Sequence, residues 1–237
     1  MSLLGVLGGM GPMATATFYR DLVRRTPARS DQEHIPVVIW SDGRVPDRSE
    51  ALLGHGPSPL PQLVEGVKQL QAMGADLMAM PCNTAHAFLP GLRRATGADF
   101  VDIVRATVAA TIERHPETRH VGVLGTRGTR IARLYETACS EVGLAVIQPT
   151  EHDQSALVDE AIRLVKGGGR LDHATRLVEQ ATRSLAAAGA DVAVAACTEI
   201  PLAIGRATEV LPIVDSVECL ADACIEACAP RCSTTTR

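Results

Sequence analysis

Gly74-Ala75-Asp76-Leu77-Met78-Ala79-Met80-Pro81-Cys82-Asn83-Thr84 is an apolar run led by Gly-Ala-Asp and ended by a cysteine, and the chain writes it twice. The second copy is Gly189-Ala190-Asp191-Val192-Ala193-Val194-Ala195-Ala196-Cys197-Thr198-Glu199. Upstream, Gly5-Val6-Leu7-Gly8 returns as Gly122-Val123-Leu124-Gly125, an offset of 117 residues at that pair and 115 at the cysteines. A near-constant offset predicts two diverged halves with one α/β pattern. If the halves face each other, each presents one thiol to a shared cleft. Such a pair could take a proton from one side of a carbon and return one to the other.

Around this repeat, the pattern alternates short apolar runs with amphipathic helical stretches, the mark of mostly parallel sheets flanked by helices. Strands are expected at Leu3 to Leu7, Val37 to Trp40, Asp76 to Met80, His120 to Leu124, Leu144 to Ile147, Asp191 to Ala195 and Leu211 to Val214. The clearest helical periodicity covers Met13 to Arg25, Leu60 to Met73 and Leu171 to Ala188. Asp42 to Pro61, dense in Pro and Gly, reads as one long functional loop, and Gly167-Gly168-Gly169 as a break between two helices. The domain change is expected near Asp99 to Val104. Residues 1–99 then form the first domain, 100–207 the second, and 208–237 return to the first through a helix at Ser216 to Cys228, with Pro230 to Arg237 frayed.

The chain has 237 residues, 46% hydrophobic and 21% charged, which suits an ordinary globular protein. Its net charge of −4, with basic residues scattered, gives no electrostatic footprint for nucleic acid or a membrane surface. Neither long uncharged stretch is a continuous apolar run of about 18 residues, so no membrane span is expected. The amino terminus lacks the basic region of a signal peptide. Seven cysteines, an odd number, then read as reduced thiols in a cytoplasmic protein. A small-molecule substrate is the expected partner.

Cys82 and Cys197 each follow a strand and precede a helix, at the sheet edge where open α/β folds bind ligands. A helix amino terminus is expected to favour thiolate there. Thr84, Thr126 and Thr198 sit at helix starts, where they act as caps or as ligand donors. His86, four residues after Cys82, either tunes the thiol or packs. Gly9 to Ala14 satisfies the dinucleotide pattern G-x-G-x-x-A, but its repeat partner at Gly125 to Thr129 does not, and such a turn serves a substrate carboxylate equally well. Among Cys219, Cys224, Cys228 and Cys232, only Cys224 and Cys228 share a helix face, so packing is expected rather than metal.

At these residues the chain resembles the aspartate/glutamate racemase superfamily, and within it the aspartate and broad amino-acid racemase branch. The matching pieces are Gly8-Gly9-Met10-Gly11-Pro12 with Ala14-Thr15, Pro46-Asp47-Arg48, Pro81 to His86, Gly125 to Thr129, and Ala196 to Leu202. The resemblance implies two pseudo-symmetric domains with the site between them, no pyridoxal phosphate, no metal and a homodimer. It implies Cys82 and Cys197 as the acid/base pair. Met10, Asn83, Thr84, Thr126 and Thr198 are carried over as substrate-binding positions, the last four holding the α-carboxylate. Arg48 and Lys166 would meet a side-chain carboxylate. Cys-Thr-Glu at Cys197 departs from the Cys-Thr-His of glutamate racemases and shifts the expected substrate toward aspartate or a broader range. Met13 stands where relatives often carry an acid. Relatives that isomerise maleate or racemise hydantoins, and a non-catalytic acid binder, are the competing readings.

Overall fold

The computed structural model describes residues 2–229. Strands β1 (Leu4–Gly8), β2 (Val37–Ser41), β3 (Leu77–Ala79) and β4 (Phe100–Val101) make one parallel sheet in the order β2-β1-β3-β4. Strands β5 (His120–Gly125), β6 (Ala145–Ile147), β7 (Val192–Ala196) and β8 (Ile213–Asp215) make a second in the order β6-β5-β7-β8. The two orders are the same pattern, so the repeat in the sequence is a repeat in topology. In each half the chain reverses its direction of winding between the first and third strands. That switch opens a crevice beyond their carboxyl ends, where ligands bind in open parallel sheets.

The helices are α1 (Pro12–Arg25), α2 (Arg48–Leu53), α3 (Leu60–Ala72), α4 (Leu89–Thr96), α5 (Ile103–Arg114), α6 (Arg127–Ile131), α7 (Leu134–Ser140), α8 (Glu151–Asp153), α9 (Glu160–Lys166), α10 (Leu171–Ala187) and α11 (Ser216–Cys228). A π-helical segment, Gln154–Asp159, joins α8 to α9. All residues of β1 and β7 are buried, because helices cover both faces of each sheet. The outer face of the first sheet packs Leu7 and Met78 against Leu63, Val67 and Leu92. That of the second packs Leu124 and Ala195 against Val178, Ala181 and Leu185.

A third cluster lies between the sheets and belongs to both halves. Leu4, Val6 and Phe18 share it with Val121, Val123, Val192 and Val214, and with Val217, Leu220 and Cys224 of α11. At its centre α5 and α11 pack together, and α11 also packs on α1. The pair is matched in its caps: Asp102 accepts from the backbone N–H groups of Val104 and Arg105, and Asp215 from those of Val217 and Glu218. Fully burying one Leu, Ile or Val contributes roughly 1.5–3 kcal/mol, so this shared cluster carries a large part of the fold's stability.

The structure differs from two expectations. Asp42 to Pro61 is not one loop, since α2 interrupts it with Asp47 as cap to Ser49 and Glu50. The short strand β4 was not expected. Sheet membership places residues 100–101 with the first sheet and 213–215 with the second, so as a proposal the domain division moves by a few residues at both expected boundaries. Cys219, Cys224 and Cys228 are buried in the shared core. Among the described residues no group of His, Cys, Asp or Glu has metal-holding geometry, and no helix is long and apolar enough to cross a membrane. Cys232 and the expected frayed tail lie outside the described residues.

Candidate active site

Both switch points open on one narrow cleft between the halves. It is lined by Met10 from the turn after β1; Asp47, Arg48 and Ser49 from the start of α2; Cys82, Asn83 and Thr84 after β3; Thr126 after β5; Lys166 at the end of α9; and Cys197, Thr198 and Glu199 after β7. All nine residues singled out from the sequence therefore meet there. Asp47, Ser49 and Glu199 join them without having been assigned a role. Met13 lies outside this lining and is 66% exposed.

Two glycines let the walls approach. Gly9, with φ +93°, lies against the Asp42 backbone, and a side chain there would collide with it. Gly128 in α6 faces Ser49 and Thr84, so its missing side chain lets the first half's α2 close on the second half.

The two cysteines sit alike on the backbone and differently in chemistry. No α-helix begins at either. Each strand end runs into a short 3-10 turn, Thr84–Phe88 or Ile200–Ala203, so the expected α-helix dipole is missing at both thiols. Cys197 Sγ donates to Glu199 Oε2 at 3.0 Å, and the Thr198 hydroxyl donates to the same oxygen at 3.1 Å. Burial and the neighbouring Glu199 carboxylate push the Cys197 thiol well up from its usual range, and Lys166 opposes them only in part. The expected lowering at this thiol is thus reversed.

Cys82 is instead held through its backbone. The buried His86 ring places Nδ1 at 2.9 Å from the Cys82 carbonyl and accepts the Ile103 backbone N–H at Nε2, at 3.2 Å. Because Nε2 accepts, the proton belongs on Nδ1, which donates to Cys82. Burial lowers the ring's pKa and keeps it neutral. His86 therefore does more than pack: it fixes the cysteine's main chain to the first turn of α5.

Hydroxyls of Thr84, Thr126 and Thr129 form a triangle with edges of 2.8, 3.0 and 3.2 Å. Thr126 also caps α6 by accepting from the Thr129 N–H. Their rotatable protons can turn toward an incoming oxygen. The Asn83 side chain is engaged in scaffolding: Tyr135 donates to its Oδ1 at 2.7 Å, and its Nδ2 donates to Ser216 Oγ at 2.9 Å. Ser216 in turn donates to the Ala195 carbonyl at 2.7 Å, tying the loop after β3 to the strand that leads to Cys197.

Arg48 is buried, and its guanidinium donates only to carbonyls, those of Val45, Pro46 and Met10, at 3.2, 3.0 and 3.4 Å. Its Nε is buried without a partner. Lys166 is exposed at the end of α9, and although partial desolvation works against its charge, Cys197, Glu199 and Cys82 outweigh it and raise its pKa. Neither cation forms a salt bridge among the described residues. Arg48 is the buried one of the two, whereas Lys166 is exposed at the cleft mouth with Glu199 nearby, so an anionic ligand would chiefly relieve the charge of Arg48. The segment that leads into α9 is steadied against the Thr126 turn by Arg127, which bonds to Asp159 at 2.7 Å, to Ser155 at 2.6 Å and to Glu151.

Comparison with known proteins gives this geometry a family. The model of the Asp/Glu/Hydantoin racemase family matches residues 7–224. The chain belongs to that family. It is therefore an enzyme, a racemase of the kind that uses no pyridoxal phosphate. It is 28% identical over 223 residues to a broad specificity amino-acid racemase, RacX, of Bacillus subtilis strain 168, covering 92% of this chain and 95% of that one. Picrophilus torridus aspartate racemase superposes with a TM-score of 0.80 at 28% identity, covering 98% of this chain and 96% of the other. Glutamate racemase isoform RacE1 of Bacillus anthracis, at 24% identity and a TM-score of 0.68, shares the fold, with 95% of this chain and 81% of that chain covered.

Proposed function

We propose that the protein racemises an amino acid with a side-chain carboxylate, aspartate first, by a two-base mechanism between Cys82 and Cys197. The observation that carries this reading is one cleft with a thiol at each topological switch and two cations, Arg48 and Lys166, that have no salt-bridge partner among the described residues. One cysteine as thiolate takes the α-proton while the other, as thiol, delivers a proton to the opposite face. An amino-acid α-proton is far less acidic than a thiol. Most of the barrier must therefore be lowered by donors placed where charge spreads into the α-carboxylate. Thr84, Thr126 and Thr198 supply hydroxyls for that purpose, and the Asn83 scaffold fixes the loop that carries Thr84. Arg48 and Lys166 suit the second carboxylate, a planar fork and a point charge together.

The same proposal includes a homodimer, which the resemblance implies, and a cytoplasmic location. The latter is supported by the six described cysteines, all free thiols. The test is incubation of the protein with a panel of amino acids in D2O. Aspartate should gain α-deuterium and its other enantiomer, faster than neutral amino acids do. Maleate isomerisation, hydantoin racemisation or tight acid binding without exchange would replace this reading.

A further inference from the structure

The repeat that matches Cys82 with Cys197 also matches Thr84 with Glu199, each two residues past its cysteine. One half therefore carries a neutral hydroxyl where the other carries a buried carboxylate. Thr84 turns to Thr126 and Thr129, whereas Glu199 turns to the sulfur. We propose that Glu199 is a positioning residue that keeps the proton on Cys197 in the free enzyme, so that Cys197 starts as the proton donor toward the enantiomer whose α-hydrogen faces Cys82. This deepens the two-cysteine reading and rests on it.

At 3.0 Å, a thiolate and a carboxylate cannot both be ionised without strong repulsion in a buried site. Of the two, the thiol is by far the weaker acid, so the shared proton stays on sulfur. The other groups facing Cys197 are Lys166 from α9, with Arg48 and Asp47 from the start of α2 and Cys82 across the cleft. Lys166 pulls the other way, favouring thiolate, but has no hydrogen bond to the sulfur. Thr198 donates to the same carboxylate oxygen and holds it in place.

The proton count closes as follows. Cys82 thiolate takes the α-proton, breaking C–H and forming S–H. Cys197 gives up its proton to the opposite face, breaking S–H and forming C–H, and is left as thiolate beside Glu199. Repulsion by Glu199 then draws a proton from solvent onto Cys197, while Cys82 releases its own. The enzyme returns to its starting form without any redox step.

The experiment is alkylation of the full-length protein by iodoacetamide across a pH series, without substrate, with the rate at Cys197 read by peptide mass spectrometry. In the wild type Cys197 should react only in alkaline solution. Glu199→Gln removes the charge and should move its labelling midpoint down by at least about one pH unit, or about tenfold in rate near neutrality. Glu199→Asp retains the charge at a longer reach and should fall between. An unchanged or raised midpoint in Glu199→Gln overturns the proposal. Should that variant fail to fold, a wild-type midpoint at or below the ~8.5 of an ordinary thiol overturns it as well. The labelling is independent of turnover, so the two readings fail separately. A shifted midpoint without α-deuteration in D2O sinks the racemase reading alone, and deuteration without a shift sinks the role of Glu199 alone.

Discussion

The loop after β3 and the loop after β7 share a backbone plan and differ in what surrounds the sulfur. Around Cys82, support comes through the main chain: a neutral His86 donates to the carbonyl and is itself anchored by the Ile103 N–H. Around Cys197, support comes through the side chain, with Glu199 bonded to the sulfur itself. The contrast teaches that a duplicated fold supplies matched positions, while the chemistry at each is set by one or two side chains. Symmetry of the scaffold makes two faces of a substrate reachable. On the proposed mechanism, asymmetry of charge sets which thiol holds the proton first.

The sharpest way to break this comparison is to remove each sulfur in turn. Cys82→Ser and Cys197→Ser should each lower racemisation of aspartate by about a thousandfold or more, because a hydroxyl is too weak an acid to replace a thiol in either role. Solvent exchange of the α-proton should persist, if at all, in opposite enantiomers for the two variants. Chiral chromatography and proton NMR in D2O read both quantities. Near wild-type interconversion by either variant ends the two-base scheme.

A smaller effect is expected where the halves contribute one cation each. Arg48→Ala and Lys166→Ala should lower kcat/KM on aspartate by roughly 30- to 4,000-fold, the equivalent of about 2–5 kcal/mol for losing a charged partner in a desolvated cleft. A neutral amino acid should lose far less. Equal losses on both substrates would show that the two cations do not read a side-chain carboxylate.

The smallest effect belongs to the support of Cys82. His86→Phe fills the ring's volume but leaves the Cys82 carbonyl and the Ile103 N–H unpartnered, which should cost about 1–3 kcal/mol of stability. A fall in kcat of about tenfold with KM nearly unchanged should accompany it. Denaturant unfolding and steady-state kinetics check the pair of numbers. Unchanged stability would mean that the loop keeps its place without the imidazole.

Much of this architecture was legible because buried parallel strands are written as unbroken apolar runs, as in Gly5-Val6-Leu7 and Val192-Ala193-Val194. β4 escaped because two strand residues, Phe100 and Val101, sit between aspartates and leave no pattern to count. α2 was hidden by surrounding prolines and glycines, although Asp47 followed three residues later by Glu50 is a capping signal that could have revealed it. At the site, the repeat located both cysteines and the glycine-rich turn located Met10. The state of Cys197 was misjudged for a physical reason. Sequence position suggests a helix start, but only the folded turn brings the Glu199 oxygen onto the sulfur. Thr129 was given no role because its hydroxyl gains meaning only when Thr84 arrives from the other half.

The central packing of α5 on α11, with one apolar cluster fed by both sheets, has a mechanical meaning. Two lobes fused through a common core cannot swing like jaws, because opening them would expose Val6, Val123 and Val194 to water. The parts of the cleft wall that lie outside that core are few. These are the short α2 arm with Arg48 at its tip and the Lys166 end of α9, where Gly167, Gly168 and Gly169 free the chain. On the proposed reading, the molecule would serve as a fixed vice for the reacting carbon, with Arg48 and Lys166 as two small charged latches for the far end of the substrate.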